Sequence, residues 1–245
     1  MGLTSMGRSP PQGARPFRTL EVMDVEADEV ALFDRPADRA DELRVRRGAV
    51  RFLRIPAHRF VMVDGSGAPG DEVFAARLPG LYTVAFGLHF ALKRRGITAR
   101  VGPLEGLWWR DDGVTDLDVI LQDPGASRWT LLIGLPDEAS DAEISEQLAA
   151  GRGKVSASIA ASLRAEVFDE GPVAQILHVG PYAEERPSIE RLHRAVAAEG
   201  LRSRGRHHEL YLGDPRRSAP ERLRTLLRQP VEWTTAGAVA RGGRR

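Results

Sequence analysis

Cysteine is absent from all 245 residues, which excludes disulfides, a thiol nucleophile and thiolate metal sites. The same absence fits a reducing cytoplasm, the expected location. Charge of one sign is not in excess either: 35 Lys and Arg stand against 34 Asp and Glu, for a formal net charge of +1. A dedicated nucleic-acid binder usually carries a strong basic excess, so direct nucleic-acid binding is not expected. No apolar run of about 18 residues or more occurs, so no membrane span is expected. The first 18 residues contain arginines and prolines, no acid and no apolar stretch, so no secretory signal is expected there. Pro10, Pro11 and Pro16 would break the amphipathic helix of a transit peptide, so a floppy tail is expected, with Met23 an alternative start to Met1.

What is present is the balance of a globular protein, 42% hydrophobic and 28% charged. Residues 1–46 hold few periodic apolar positions and read as a flexible or loosely attached N-terminal arm. "RFLRIP" and "RFVMVDG" then read as strands ending at Pro56 and at the Asp64-Gly65 turn. A helix follows, with Leu81, Val84, Ala85, Leu88 and Leu92 on one face; Pro79-Gly80 marks its start or divides it. It ends with Lys93, Arg94, Arg95 and Gly96. "RVGPLEGLWW" and "SRWTLLIGLP" read as two further strands.

The second half repeats the order. "LRAEVFDEG" and "PVAQILHVGPY" read as a strand pair turning at Asp169-Glu170-Gly171, and "AEERPSIERLHRAVAAEG" as an amphipathic helix. "RHHELYLGDP" and "PVEWTTA" read as strands. Between them "SAPERLRTLLRQ" opens like a helix, with Ser218, Pro220 and Glu221 as a capping box. One helix from 141 to about 150, and a second to 162, bridge the halves. The fold class expected is α+β: duplicated strand-helix-strand-strand half-domains forming a pseudo-two-fold pocket between antiparallel sheets. The domain spans 47–235, with repeats at about 47–137 and 162–235 and a C-terminal tail at 236–245. Aligning the repeats sets Glu105 over Glu209. An apolar cleft with a few convergent polar groups is the default ligand site of such an arrangement.

"LYTVAFGLHFALKRRG", "PLEGLWW", "ILHVGPYAEERPSIERLH" and "HHELYLGDPRRSAPERLRTLLRQPV" together resemble the stand-alone GyrI-like small-molecule-binding proteins, over roughly residues 50–233. The resemblance implies the fold of the effector-binding domains of multidrug-sensing regulators, with an essential acid and an aromatic wall. It also implies the branch that hydrolyses cyclopropane-bearing, DNA-alkylating natural products of the yatakemycin and duocarmycin type, for detoxification or self-resistance. The family's glutamate in the "HHE-x-Y-L" run corresponds to Glu209, and the aromatics of "LEGLWW" to Trp108 and Trp109.

The residues themselves allow this chemistry. Alternation on a strand puts His207, Glu209 and Tyr211 on one face. A buried carboxylate at Glu209 suits a general base, and Tyr182, a tyrosine or a histidine could donate a hydrogen bond to a developing oxyanion. Glu105 and Trp109 share a face of their strand while Trp108 points away, so either tryptophan can line the pocket. If Glu105 lies close to Glu209, one of the two is expected to hold its proton. Tyr82 and Phe86, one helical turn apart, read as core first and pocket second. Adjacent histidines at 207–208 face opposite ways and lack a third ligand, so no metal and no cofactor is expected. The partner expected is a small aromatic molecule, with a homodimer compatible. Two other readings remain: sequestration of aromatic or cationic molecules in the same pocket without catalysis, and a protein-binding role like that of the gyrase inhibitors of this fold.

Overall fold

The computed structural model describes residues 32–68, 70–111 and 127–237. The expectations for residues 1–31, for Met1 against Met23 as the start, and for the tail beyond 237 lie outside the described residues. The elements in chain order are α1 (Arg39–Glu42), β1 (Val50–Ile55), β2 (His58–Ser66), α2 (Glu72–Ala75), α3 (Leu78–Arg94), β3 (Leu104–Arg110) and β4 (Ser127–Gly134). They continue with α4 (Asp141–Arg152), α5 (Ala157–Ser162), β5 (Arg164–Phe168), β6 (Gly171–Val179), α6 (Arg186–Ala198), β7 (Leu201–Ser203), β8 (His207–Tyr211) and β9 (Arg224–Trp233).

α3 forms where its apolar stripe predicts. Pro79 sits in its first turn, where no backbone donor is lost, and Leu81, Val84, Ala85, Leu88 and Leu92 are buried. Gly96, at φ 78°, follows its last turn, a backbone conformation that side chains disfavour. α6 buries Ile189, Leu192 and Val196 in the same way. α4 begins at a full capping box between Ser140 and Glu143.

The strands make one antiparallel sheet in the order β1-β6-β9-β8-β3-β4-β2-β5, with β7 also paired to β9. Read from the β8–β3 junction outward, the order is mirrored: β9 answers β4, β6 answers β2, and β1 answers β5. The outermost strands are exchanged between the halves. β1 pairs with β6, and β5 pairs with β2. The expectation that 162–179 is a hairpin turning at Asp169-Glu170-Gly171 is therefore corrected: β5 and β6 are consecutive but pair with different neighbours.

A second correction concerns 218–229. Only Pro220–Arg222 makes a helical turn, of 3-10 type, and Arg224–Trp233 is a strand. β9 lies between β6 on one side and β8 and β7 on the other, and seven consecutive residues, Thr225 to Val231, are buried. A strand covered on both faces loses the period-2 signal, and its leucines then mimic helical spacing.

α3 and α6 cover one face of the sheet. There Leu81, Val84, Leu88, Ile189, Leu192 and Val196 pack on Val61, Val63, Leu131, Ile133, Ala174, Ile176 and Leu227. The opposite face carries smaller apolar groups, among them one of Phe60, Met62, Leu107 and Leu132 and another of Leu177, Leu210 and Leu226. Leu43 and Val45 pack on the second of these, and Phe33 is buried in the main core. The described part of the N-terminal arm, 32–46, is thus docked on the sheet rather than loosely attached. Its hold is electrostatic as well as apolar.

Candidate functional site

The β3–β8 junction at the centre of the sheet positions the site. Gly106 stands opposite Glu209, Glu105 opposite Leu210, and Trp108 opposite His207. Directly opposed residues share a face, so Glu209, Tyr211, His207 and Trp108 point to the helix side, while Glu105, His208 and Trp109 point to the other. Glu105 and Glu209 thus lie on opposite faces, and the condition for repulsion between them is not met.

On the helix side, Glu209 is only 7% exposed. The Tyr211 hydroxyl donates to its Oε2 at 2.7 Å. Burial raises the Glu209 pKa above the usual carboxylate range, while the Tyr211 bond and the nearby His208 charge hold it back. Tyr182, in the turn before α6, packs edge-on against Tyr211 with ring centroids 5.8 Å apart and is 38% exposed, marking the mouth of the group. Trp108 is buried, stacked at 9° on Phe74 and tilted against Trp129. His207 is fully buried, its Nε2 3.8 Å from Glu209 Oε1. Burial drives its pKa down to about 3, so it is neutral.

Sequence reasoning missed one member, Glu185. It precedes α6, is 3% exposed, and its pKa is raised by burial and then by the charge of Glu209. The signal was available: 185, 189, 192 and 196 lie on one helical stripe, and the other three positions are apolar core. A glutamate heading such a stripe points inward.

The floor beneath Tyr211 is Gly106. A Cβ there would lie 2.8 Å from Trp108 Nε1 and 3.1 Å from the Tyr211 hydroxyl oxygen. Gly106→Ala is expected to displace both rings at a cost of about 1–3 kcal/mol, read as a lower urea midpoint together with a changed tryptophan emission.

Two predicted residues lie elsewhere. Trp109 is half-buried on the far face, with the Arg206 guanidinium 3.8 Å above its ring. Phe86 is 45% exposed in an aromatic row along α3 between Tyr82 and Phe90. The row reaches the site region through Tyr82, whose phenol feels the charges of Arg216 and Asp214; Asp214 also acts on Tyr182.

Glu105 belongs to a buried ring of alternating charge on the far face. His208 places Nε2 3.0 Å from Glu105 and Nδ1 2.8 Å from Glu170. Glu170 accepts from Arg228 at 2.8 Å, Arg228 donates to Gln175 at 2.9 Å, and Gln175 donates to the Glu42 carbonyl at 2.7 Å. Arg39 of α1 closes the ring by binding both Glu42 and Glu105. Burial alone would raise the Glu105 and Glu170 pKa values, but their cationic partners pull each down to about 2. Burial opposes the charge on His208 too, yet its two carboxylates raise its pKa.

Among the described residues no three His, Asp or Glu side chains converge to hold a metal ion, and no helix is long and apolar enough to cross a membrane. The GyrI-like small molecule binding domain matches residues 138–232, the span that holds Tyr182, Glu185, Glu209 and Tyr211. An uncharacterized conserved protein from Listeria innocua is 29% identical, with a TM-score of 0.68 over 78% of this chain and 96% of its own. A hydrolase from Listeria innocua is 30% identical, with a TM-score of 0.64 over 78% of this chain and 95% of its own. A further hydrolase from that organism is 28% identical, with a TM-score of 0.64 over 79% and 96%. No curated protein matches the chain.

Proposed function

The chain belongs to the GyrI-like small-molecule-binding family, and from that membership we propose that it hydrolyses cyclopropane-bearing, DNA-alkylating natural products by opening the strained ring. The observation that carries this reading is Glu209: a buried carboxylate of raised pKa, oriented by Tyr211 in an aromatic setting. A spirocyclopropane conjugated to a dienone is opened by attack on its methylene carbon and relaxes to a phenol. The reaction is downhill, so the protein's task is to activate water and stabilise the developing oxyanion. Glu209 supplies the base, and water is a poor nucleophile without one. Trp108 packs with Phe74 and Trp129 behind the site, and Tyr182 at the mouth offers ring surface for a planar ligand. The hydrolases among the similar structures support an enzyme over a passive binder.

Incubation of the purified protein with a duocarmycin-like cyclopropanoid, followed by chromatography, tests the reading. Many equivalents of the ring-opened phenol per protein are expected. Quenching of tryptophan emission with no product would instead establish sequestration.

A further inference from the structure

Ring opening requires a proton for the oxygen that becomes a phenol, and most donors near Glu209 are committed or enclosed. The Tyr211 proton is given to Glu209. His207 is fully buried and neutral, and its Nε2 lies 3.8 Å from Glu209 Oε1 itself. Glu185 closes the turn that carries the part-exposed Tyr182, and its Oε1 is buried without a hydrogen-bond partner. Thr225, its neighbour on β9, is paired in register with Tyr211, so the two glutamates flank one tyrosine. Among the described residues neither forms an ion pair with a lysine or arginine. Glu185 is faced by Thr225 from β9, by Glu209 and Tyr211 from β8, and by Tyr182 from its own turn. Glu209 is faced by Tyr211 and His207 from its own strand, with the His208 charge behind the sheet.

Building on the hydrolase reading, we propose that Glu185 is a second catalytic residue, the general acid that protonates the substrate's carbonyl oxygen while Glu209 takes a proton from water. The bond from the water oxygen to the cyclopropane methylene forms as the bond from that methylene to the spiro carbon breaks. The released electron pair moves through the dienone to the carbonyl oxygen, which takes the Glu185 proton and becomes a phenol. The water proton goes to Glu209. The pair ends as Glu185 carboxylate and Glu209 acid, and one proton passed between them, directly or through the Tyr211 hydroxyl, restores the start. Two buried carboxylates cannot both ionise readily. The Tyr211 bond and the His208 charge favour the anion at Glu209, and its charge then keeps the proton on Glu185. Environment thus assigns the two roles, as in other carboxylate pairs with separated pKa values.

Glu185→Gln tests this, because a neutral amide mimics the protonated acid and preserves packing but has no proton to give. Two readouts are required. By infrared titration without substrate, the parent is expected to keep a protonated carboxyl stretch above neutral pH that Glu185→Gln lacks. In turnover of a cyclopropanoid, kcat is expected to fall about 10²-fold with KM nearly constant, and the alkaline limb of the pH–rate profile to vanish. A parental kcat and pH profile in Glu185→Gln, or a carboxyl stretch that survives in it, would overturn the acid role while leaving the hydrolase reading intact. If the parent itself makes no product, the hydrolase reading fails and the acid role with it, and the infrared result then reports only where the proton rests.

Discussion

Glu209→Gln is expected to lower kcat for cyclopropane opening by about 10³-fold and to leave KM nearly unchanged. The amide can still accept the Tyr211 hydrogen bond and fill the same volume, so binding survives, but it cannot take a proton from water. In the parent the rate should rise with pH as Glu209 ionises, above the usual carboxylate range because burial raises its pKa. It should fall again where Glu185 loses its proton, at still higher pH. The substitution is also expected to stabilise the fold at neutral pH. A carboxyl whose folded pKa is raised gives stability that is complete below its unfolded value and is lost as pH rises through the folded value. The parent bears that loss at pH 7 to 8; Glu209→Gln does not. Thermal melts at pH 5 and pH 8 check this, with the variant gaining on the parent only at the higher pH. A kcat drop accompanied by equal destabilisation at both pH values would mean that Glu209 serves structure rather than chemistry.

How much of this site was legible follows from the range of each signal. Alternation along β8 is local, so the shared face of His207, Glu209 and Tyr211 could be read from five residues. The stripes of α3 and α6 are equally local. Strand partnership is not. Nothing in "RFLRIP" or "LRAEVF" says that β1 crosses to β6 and β5 to β2, because each is followed by an ordinary turn and the exchange is decided by packing across the whole sheet. The same limit hid the relation between Glu105 and Glu209. Sequence alignment of the two repeats superposes them, but β3 and β8 pair one residue out of that register, and a single residue moves a side chain to the opposite face. That offset also answers which tryptophan accompanies the catalytic candidate. Trp108 shares the face of Glu209, and Trp109 shares that of Glu105. The β9 leucines misled for the opposite reason: their local pattern was helical, and burial on both faces overrode it.

Arg39→Met is expected to destabilise the protein by about 3–5 kcal/mol, because it removes the guanidinium that two buried carboxylates share and leaves Glu105 to His208 and Glu42 to His58. The effect is large for a residue in a segment with little apolar periodicity. The charge ring spans both halves of the sheet: Glu105 comes from β3, His208 from β8, Glu170 from the β5–β6 link, Arg228 from β9 and Arg39 from the arm. Each carboxylate is tolerable only while its neighbours stay charged. Loss of Arg39 also frees α1, so trypsin should cut sooner at Arg44, Arg46 and Arg47, and a urea midpoint that did not move would refute the ring as the anchor of the arm. The pH dependence has two signs. Glu105 and Glu170, depressed to about 2, contribute stability that is present above the unfolded carboxylate pKa and lost as pH falls toward 2. His208, whose pKa is raised, contributes stability that is present below about 6.5 and lost as pH rises through its folded value. The arm should therefore be held most tightly between about pH 5 and 6.5, and loosen on either side. On the alkaline side the loss of the His208 charge also removes a cation that favours ionised Glu209. Arm release and a rise in the pKa of the Glu209 carboxylate should then occur together, although His208 and Glu209 lie on opposite faces of one strand.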